Sequence, residues 1–264
     1  MAIIADIHVH VRPAHDARRL LMGGARRLRD LAARAGYPDA APVLMLTECG
    51  PARAFERWSA GSLPEGWALQ GRSADGRAIC LRGPDTPAVW IVAGRQCATR
   101  ERMEVHALGC AAEIADGLPA EQAIEAALRA GARPVIAWAL GKWMFQRGVR
   151  LAGLMDRFSP ERLALADSAL RPIGWPEPAP LRRAARERRP VLAGTDPLPP
   201  PGEEDVCGTL ATLVPDAHPD PARPAAGLVE ALCSDLPRKT VGRRNSAFQL
   251  ALRMIRYYLR RDPE

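Results

Sequence analysis

The chain has 264 residues, 47% apolar and 25% charged, enough to bury a large core as one domain spanning residues 1–264. No run approaches the roughly 18 consecutive apolar residues of a membrane span, and the opening MAIIADIHVHVRP lacks the basic start and long apolar stretch of a signal peptide, so a cytoplasmic protein is expected. The formal charge is +7, but only Lys142 and Lys239 are lysines. The arginines are scattered in pairs such as Arg18-Arg19, Arg26-Arg27, Arg182-Arg183 and Arg260-Arg261, a spread that argues against a nucleic-acid surface.

Along the chain, residues 2–7 form a short apolar run of the kind found in a buried parallel strand. Asp16 to Ala35 has helical spacing, with Leu20, Leu21, Leu28 and Leu31 on one side, and Gly36 ends it. Pro42–Thr47 reads as a second strand. Trp67–Gly71 and Ala78–Arg82 flank Ala74-Asp75-Gly76, which predicts a small antiparallel hairpin near 66–83. Strands follow at Ala88–Ala93 and Glu104–Gly109, then a helix at Pro119–Ala130 and a strand at Arg133–Trp138. Later come a helix near 146–157, a strand near 163–167, a helix at 178–188 and a strand at Pro190–Thr195. Helices are expected near 204–214, at 222–233 and at Arg243–Arg261. Strands alternating with helices predict a parallel sheet, closed or wound, with helices outside. The six cysteines form no CxxC pair, and a disulfide framework is not expected at this size.

The strongest chemical signal is Asp6-Ile7-His8-Val9-His10. Strand alternation puts Ile4, Asp6, His8 and His10 on one face and the apolar Ile3, Ala5, Ile7 and Val9 on the other, facing helices. Two imidazoles two residues apart at the C-terminal end of a barrel strand can chelate one divalent ion at the barrel mouth. Further polar residues recur just after predicted strands: Thr47-Glu48-Cys49-Gly50, Gly94-Arg95-Gln96, Val105-His106-Ala107 and Gly194-Thr195-Asp196. His15 reads as a capping or solvent-facing residue and His218 as a loop residue.

In this order the motifs resemble the polymerase and histidinol phosphatase (PHP) family of metal-dependent phosphoesterases. His8-Val9-His10 is similar to that family's first motif, and Leu46-Thr47-Glu48-Cys49 to its Thr-Asp-His motif. Gly94-Arg95-Gln96 with Val105-His106-Ala107-Leu108-Gly109 is similar to its Gly-x-Glu and Val-His-x-Leu-Gly segment. Ala193–Leu198 is similar to Gly-Ser-Asp-x-His, and Arg243–Leu252 to the closing helix. The resemblance implies an α/β fold, a distorted seven-stranded TIM-type β/α barrel carrying the hairpin insertion. It implies metal ligands drawn from His8, His10, Glu48, His106 and Asp196, with Glu48 or His106 as general base.

The sequence departs from the family pattern at four positions. Cys49, Trp138 and Leu198 stand where the family has histidines, and Gln96 stands for a glutamate. With two carboxylates left, three divalent ions would be uncompensated, so the reduced set fits one ion, zinc or manganese, or none. Cys49 is either a soft zinc ligand or a small buried thiol, and Trp138 fills the space of a lost ion or packs on a ligand. Arg12, Arg95, Lys142, Arg147 and Arg244 are candidates for a cationic rim around a small anionic substrate.

Three functions compete. One is a PHP-like hydrolase of a phosphoester or other anionic small molecule. Another is a pseudoenzyme that keeps the pocket for binding or assembly. The third is an amidohydrolase, because Asp6–Arg12 is also similar to the opening of dihydroorotases.

Overall fold

In the computed structural model, which describes residues 1–217 and 224–259, β1 (Ile3–Val9) is buried along its whole length. It is an inner strand of a seven-stranded sheet. β1 pairs in parallel with β2 (Ala41–Leu46) and antiparallel with β11 (Leu210–Val214). Beyond β2 lie β5 (Val89–Val92), β4 (Ala78–Arg82) and β3 (Ala68–Arg72), the last two forming the hairpin that Asp75-Gly76 predicts. β12 (Lys239–Gly242) borders β11. A second sheet runs in the order β10 (Val191–Gly194), β9 (Ala164–Ser168), β8 (Arg133–Ala137), β7 (Glu104–Leu108) and β6 (Gly94–Ala98). Its first three strands are parallel and its last two antiparallel.

The alternation of strands and helices predicts a parallel sheet, closed or wound, and the family resemblance implies a barrel; the pairing among the described residues gives two mixed sheets joined at their seams. Short connections are the reason, since β3–β4, β4–β5 and β6–β7 are linked by too few residues for a parallel crossover. At one seam the Glu48 amide donates to the Gly94 carbonyl at 3.1 Å and the Gln96 amide to the Glu48 carbonyl at 2.8 Å. A side chain at Gly94 would put its Cβ 2.1 Å from the Leu46 carbonyl oxygen, so this crossing requires glycine. At the other seam the Asp196 amide donates to the His8 carbonyl at 2.9 Å.

Apolar side chains from both sheets fill the space between them, among them Ile3, Ala5, Ile7, Met45, Val135, Ala166 and Leu192. Leu228 and Leu232 of α6 (Pro224–Cys233) join this core. Val229 of α6 borders a cavity with Arg133, the first residue of β8, so α6 covers the N-terminal end of the parallel strands and leaves their C-terminal end for a site. Outside, α1 (Ala17–Arg34) lays Leu20, Leu21 and Leu28 against Ile4, Leu44 and Leu213, and Asp16 caps it by accepting from the Arg19 amide at 3.0 Å. A short α2 (Ala54–Ser59) adds Phe55 and Trp58 to the same layer. The second sheet is covered by α3 (Ala120–Arg129), α4 (Phe145–Arg157), α5 (Ala179–Arg186) and α7 (Ala247–Leu259).

Two sequence expectations are corrected. The helix expected near 204–214 is a 3-10 turn, Glu203–Val206, followed by strand β11; a five-residue apolar run carries no periodicity to separate the two. The face expected to meet helices on β1 instead divides, with Ile3, Ala5 and Ile7 between the sheets and Val9 against α1. The ladder with β2 shifts register between Asp6 and Val9, which changes the phase of alternation in the middle of the strand. Strands β6 and β12 and helix α2 were not expected from the sequence. Of the helix expected at 222–233 the described part is α6. The helix expected at Arg243–Arg261 begins only at Ala247, residues 243–246 forming a loop after β12, and its last two residues lie outside the described ones. No described helix is long and apolar enough to cross a membrane.

Candidate metal centre

At the C-terminal end of β1 the register shift separates Asp6 from the two histidines in role. Asp6 is fully buried and accepts from the Thr195 amide at 2.9 Å, the Gly208 amide at 2.9 Å, the His8 amide at 3.2 Å and the Thr195 hydroxyl. Burial pushes its carboxyl up to about 6, against the pull of these hydrogen bonds. Asp6 therefore ties β1 to the turn after β10 and to the loop before β11.

His8 and His10 turn their Nε2 atoms toward each other at 3.1 Å. Asp196 Oδ1 stands 3.4 Å from His8 Nε2 and 3.5 Å from His10 Nε2, completing a buried triangle of donors. Two features of the turn after β10 deliver this carboxylate. Gly194 lets β10 press on β1, since a Cβ there would lie 2.6 Å from the His8 amide nitrogen. Asp196 has φ +53, a left-handed conformation that Asp tolerates better than most residues.

His106, on β7, stacks edge-on against His8 with ring centroids 4.1 Å apart, and its Nε2 lies 3.0 Å from Gln96 Oε1. Burial holds His106 well below the usual imidazole range, helped by His8 and Lys142. His10 is also held well below it, by burial and then by Arg12, His8, His106 and His15. Both rings are thus neutral with a lone pair available at neutral pH. The Nδ1 atoms of His10 and His106 are sealed from solvent and have no partner among the described residues, a cost tolerated where a ligand returns free energy.

The remaining expected residues lie outside the triangle. Glu48 is buried, and its Oε1 accepts from the Phe55 amide at 3.3 Å and from the Ala54 amide, capping α2; burial raises its carboxyl. Arg95 is buried and spends its guanidinium on the Gly50 and Ala52 carbonyls, both at 2.9 Å. Lys142 pairs with Glu104. Arg147 is half-buried near Gly141, and Arg244 is half-buried in the loop before α7. Arg12, half-buried, points Nη1 at Cys49 Sγ from 2.7 Å and has no carboxylate partner among the described residues. Trp138 packs in the core under α4 and α7. His15 is a correction: it is buried, with Nε2 2.8 Å from the Leu198 carbonyl and Nδ1 3.2 Å from the His10 carbonyl, because the chain folds the Asp196 loop over it. His218 lies outside the described residues. Glu203 and Arg253, absent from the sequence reading, form a buried pair beside Asp196.

The donor set fits one divalent ion. A zinc ion with bonds of about 2.0–2.1 Å holds tetrahedral ligands about 3.3 Å apart, and the triangle's sides of 3.1, 3.4 and 3.5 Å bracket that spacing. Two imidazoles and one carboxylate suit zinc or manganese.

No protein-family model and no curated protein matches the sequence. The fold is similar to that of PsfC from Pseudomonas syringae PB-5123, with TM-score 0.57 and 13% identity over 98% of each chain. It is also similar to a two-domain protein from Bacteroides vulgatus ATCC 8482 containing a predicted PHP-like metal-dependent phosphoesterase, with TM-score 0.50 and 11% identity over 92% of this chain and 65% of that one. A third likeness is to the lesion-specific endonuclease PfuEndoQ from Pyrococcus furiosus, with TM-score 0.52 and 12% identity over 91% of this chain and 58% of that one. The chain spans less than two thirds of the length of the last two proteins. At such identities the likeness establishes a PHP-like fold, and function rests on the site.

Proposed function

We propose that the protein is a divergent PHP-like hydrolase that acts on a phosphoester or another small anionic molecule through a reduced, single-ion site. The His8–His10–Asp196 triangle carries this reading. An ion held there would lower the pKa of a bound water and polarise a phosphoryl oxygen. His106 is the better placed of the two candidate bases, because it lies against His8 and accepts no hydrogen bond at Nδ1, whereas Glu48 is engaged at the start of α2. With its Nε2 donating to Gln96 Oε1, His106 keeps Nδ1 as a proton acceptor. Arg12 is the candidate cation for the substrate's charge, since Lys142 is paired with Glu104 and the terminal nitrogens of Arg95 are held by the Gly50 and Ala52 carbonyls.

A binding protein that has lost catalysis is the second reading. It is favoured by the missing carboxylates, with Glu48 turned into a helix cap and Gln96 in place of a glutamate. Turnover of a generic phosphomonoester such as p-nitrophenyl phosphate by zinc- or manganese-loaded protein separates the two. The hydrolase reading expects turnover that falls at least 100-fold in His10→Ala, as loss of a catalytic metal ligand requires. Metal-replete wild type without turnover on a panel of phosphate mono- and diesters supports binding alone.

A further inference from the structure

Asp196 supplies the only carboxylate of the triangle, yet nothing in its own strand fixes it. It follows the last residue of β10 by two positions, in a left-handed conformation, and Pro197 comes next. Its main chain is pinned from two directions. The amide donates to the His8 carbonyl, and the carbonyl accepts from Arg253 Nη2 at 2.9 Å. Arg253 belongs to α7, 57 residues further along the chain.

The same guanidinium is bonded to the Glu203 carboxylate, through Nε at 2.9 Å and 3.1 Å and through Nη2. Glu203 Oε2 also accepts from the Leu198 amide at 3.0 Å. His15 holds the Leu198 carbonyl from the other side. Arg253 and Glu203 are 6% and 4% exposed, so the pair is shielded from the screening that makes surface ion pairs weak. The guanidinium engages a carboxylate and a carbonyl at once in a fixed planar geometry, which the compact ammonium of lysine does not reproduce.

We propose that Arg253 is a positioning residue: with Glu203 it clamps the main chain of Asp196 so that this carboxylate meets His8 and His10. The inference rests on the single-ion reading of the triangle and assigns α7 a part in it. Outer partners of metal ligands typically change affinity by about 10–100-fold when lost. Leu250 lies one turn before Arg253 on the same buried side of α7 without touching the Asp196 loop through any hydrogen bond, so it separates clamping from simple support of the helix.

The test compares full-length wild type, Arg253→Lys, Glu203→Gln and Leu250→Ala. Zinc affinity is measured by chelator competition, and amide hydrogen exchange at Thr195, Asp196 and Leu198 is measured on metal-free protein. Arg253→Lys and Glu203→Gln are expected to weaken zinc by about tenfold or more and to speed exchange of the Asp196 amide. Leu250→Ala is expected to lower the melting temperature and leave zinc affinity within twofold of wild type. If Arg253→Lys does not fold, Glu203→Gln decides. Wild-type zinc affinity and wild-type exchange in the folded clamp variants would overturn the inference, as would equal zinc loss in Leu250→Ala. If wild type itself binds no zinc, the single-ion reading fails separately, and the exchange arm still decides whether Arg253 holds Asp196.

Discussion

Gly194 and Asp196 place opposite demands on one turn: the first must have no side chain and the second must present one. A Cβ at position 194 would meet the His8 backbone nitrogen and Cβ at 2.6 Å, contacts that no rotamer change relieves. Gly194→Ala should therefore cost about 1–3 kcal/mol in urea unfolding and reduce retained zinc, whereas unchanged unfolding and zinc content would show that β10 can retreat freely. The histidines and Asp196 were legible in the sequence because each follows a strand signal, and two imidazoles at a spacing of two are an unusual demand on a buried strand. The phase change within β1 was not legible, since a register shift leaves no mark on an apolar run. Arg253 was hidden for another reason. A charged residue on a terminal helix reads as surface, and only its spacing of three from buried Leu250 signals that it faces inward.

Among the elements, α2 shows how a carboxylate at a strand end can serve structure. Its six residues are too few to be stable alone, and Glu48 satisfies two of the amides exposed at its start. Glu48→Ala is expected to destabilise the fold by about 1 kcal/mol, within the range of lost helix caps. The same variant should retain zinc; loss of the ion in a folded variant would return Glu48 to the ligand set. The hairpin β3–β4 and the α3–β8 unit were readable from an Asp-Gly turn and from helix punctuation by Pro119 and Gly131. By contrast, β6 begins with Gly-Arg-Gln and β12 is Lys-Thr-Val-Gly, compositions set by seam crossing and by an edge position rather than by a buried face.

Across the molecule, burial of neutral imidazoles makes stability depend on pH. His10 and His106 resist protonation in the fold, while in the unfolded chain they take up protons below their ordinary value of 6.5. Metal-free protein should therefore lose stability as pH falls through 6.5, by up to about 1.4 kcal/mol per unit for each ring. Asp6 acts in the opposite sense, because its folded value of about 6 exceeds the ordinary 3.8, so protonation in the fold returns stability between those limits. Urea midpoints in chelator should fall from pH 7.5 to 6 and fall less steeply below 6; midpoints that rise on acidification would mean that the histidines are not buried neutral. The placement of helices outside the sheets followed from the alternation of elements, whereas the mixed pairing and the division into two sheets depended on hairpin links that alternation alone does not reveal. Most direct of all is metal content, measured by mass spectrometry on protein purified without chelator or a metal-binding tag. One zinc or manganese per chain, lost in His8→Ala and in Asp196→Ala, is the predicted result. Wild type that carries no metal and gains no thermal stability from added zinc or manganese would contradict it.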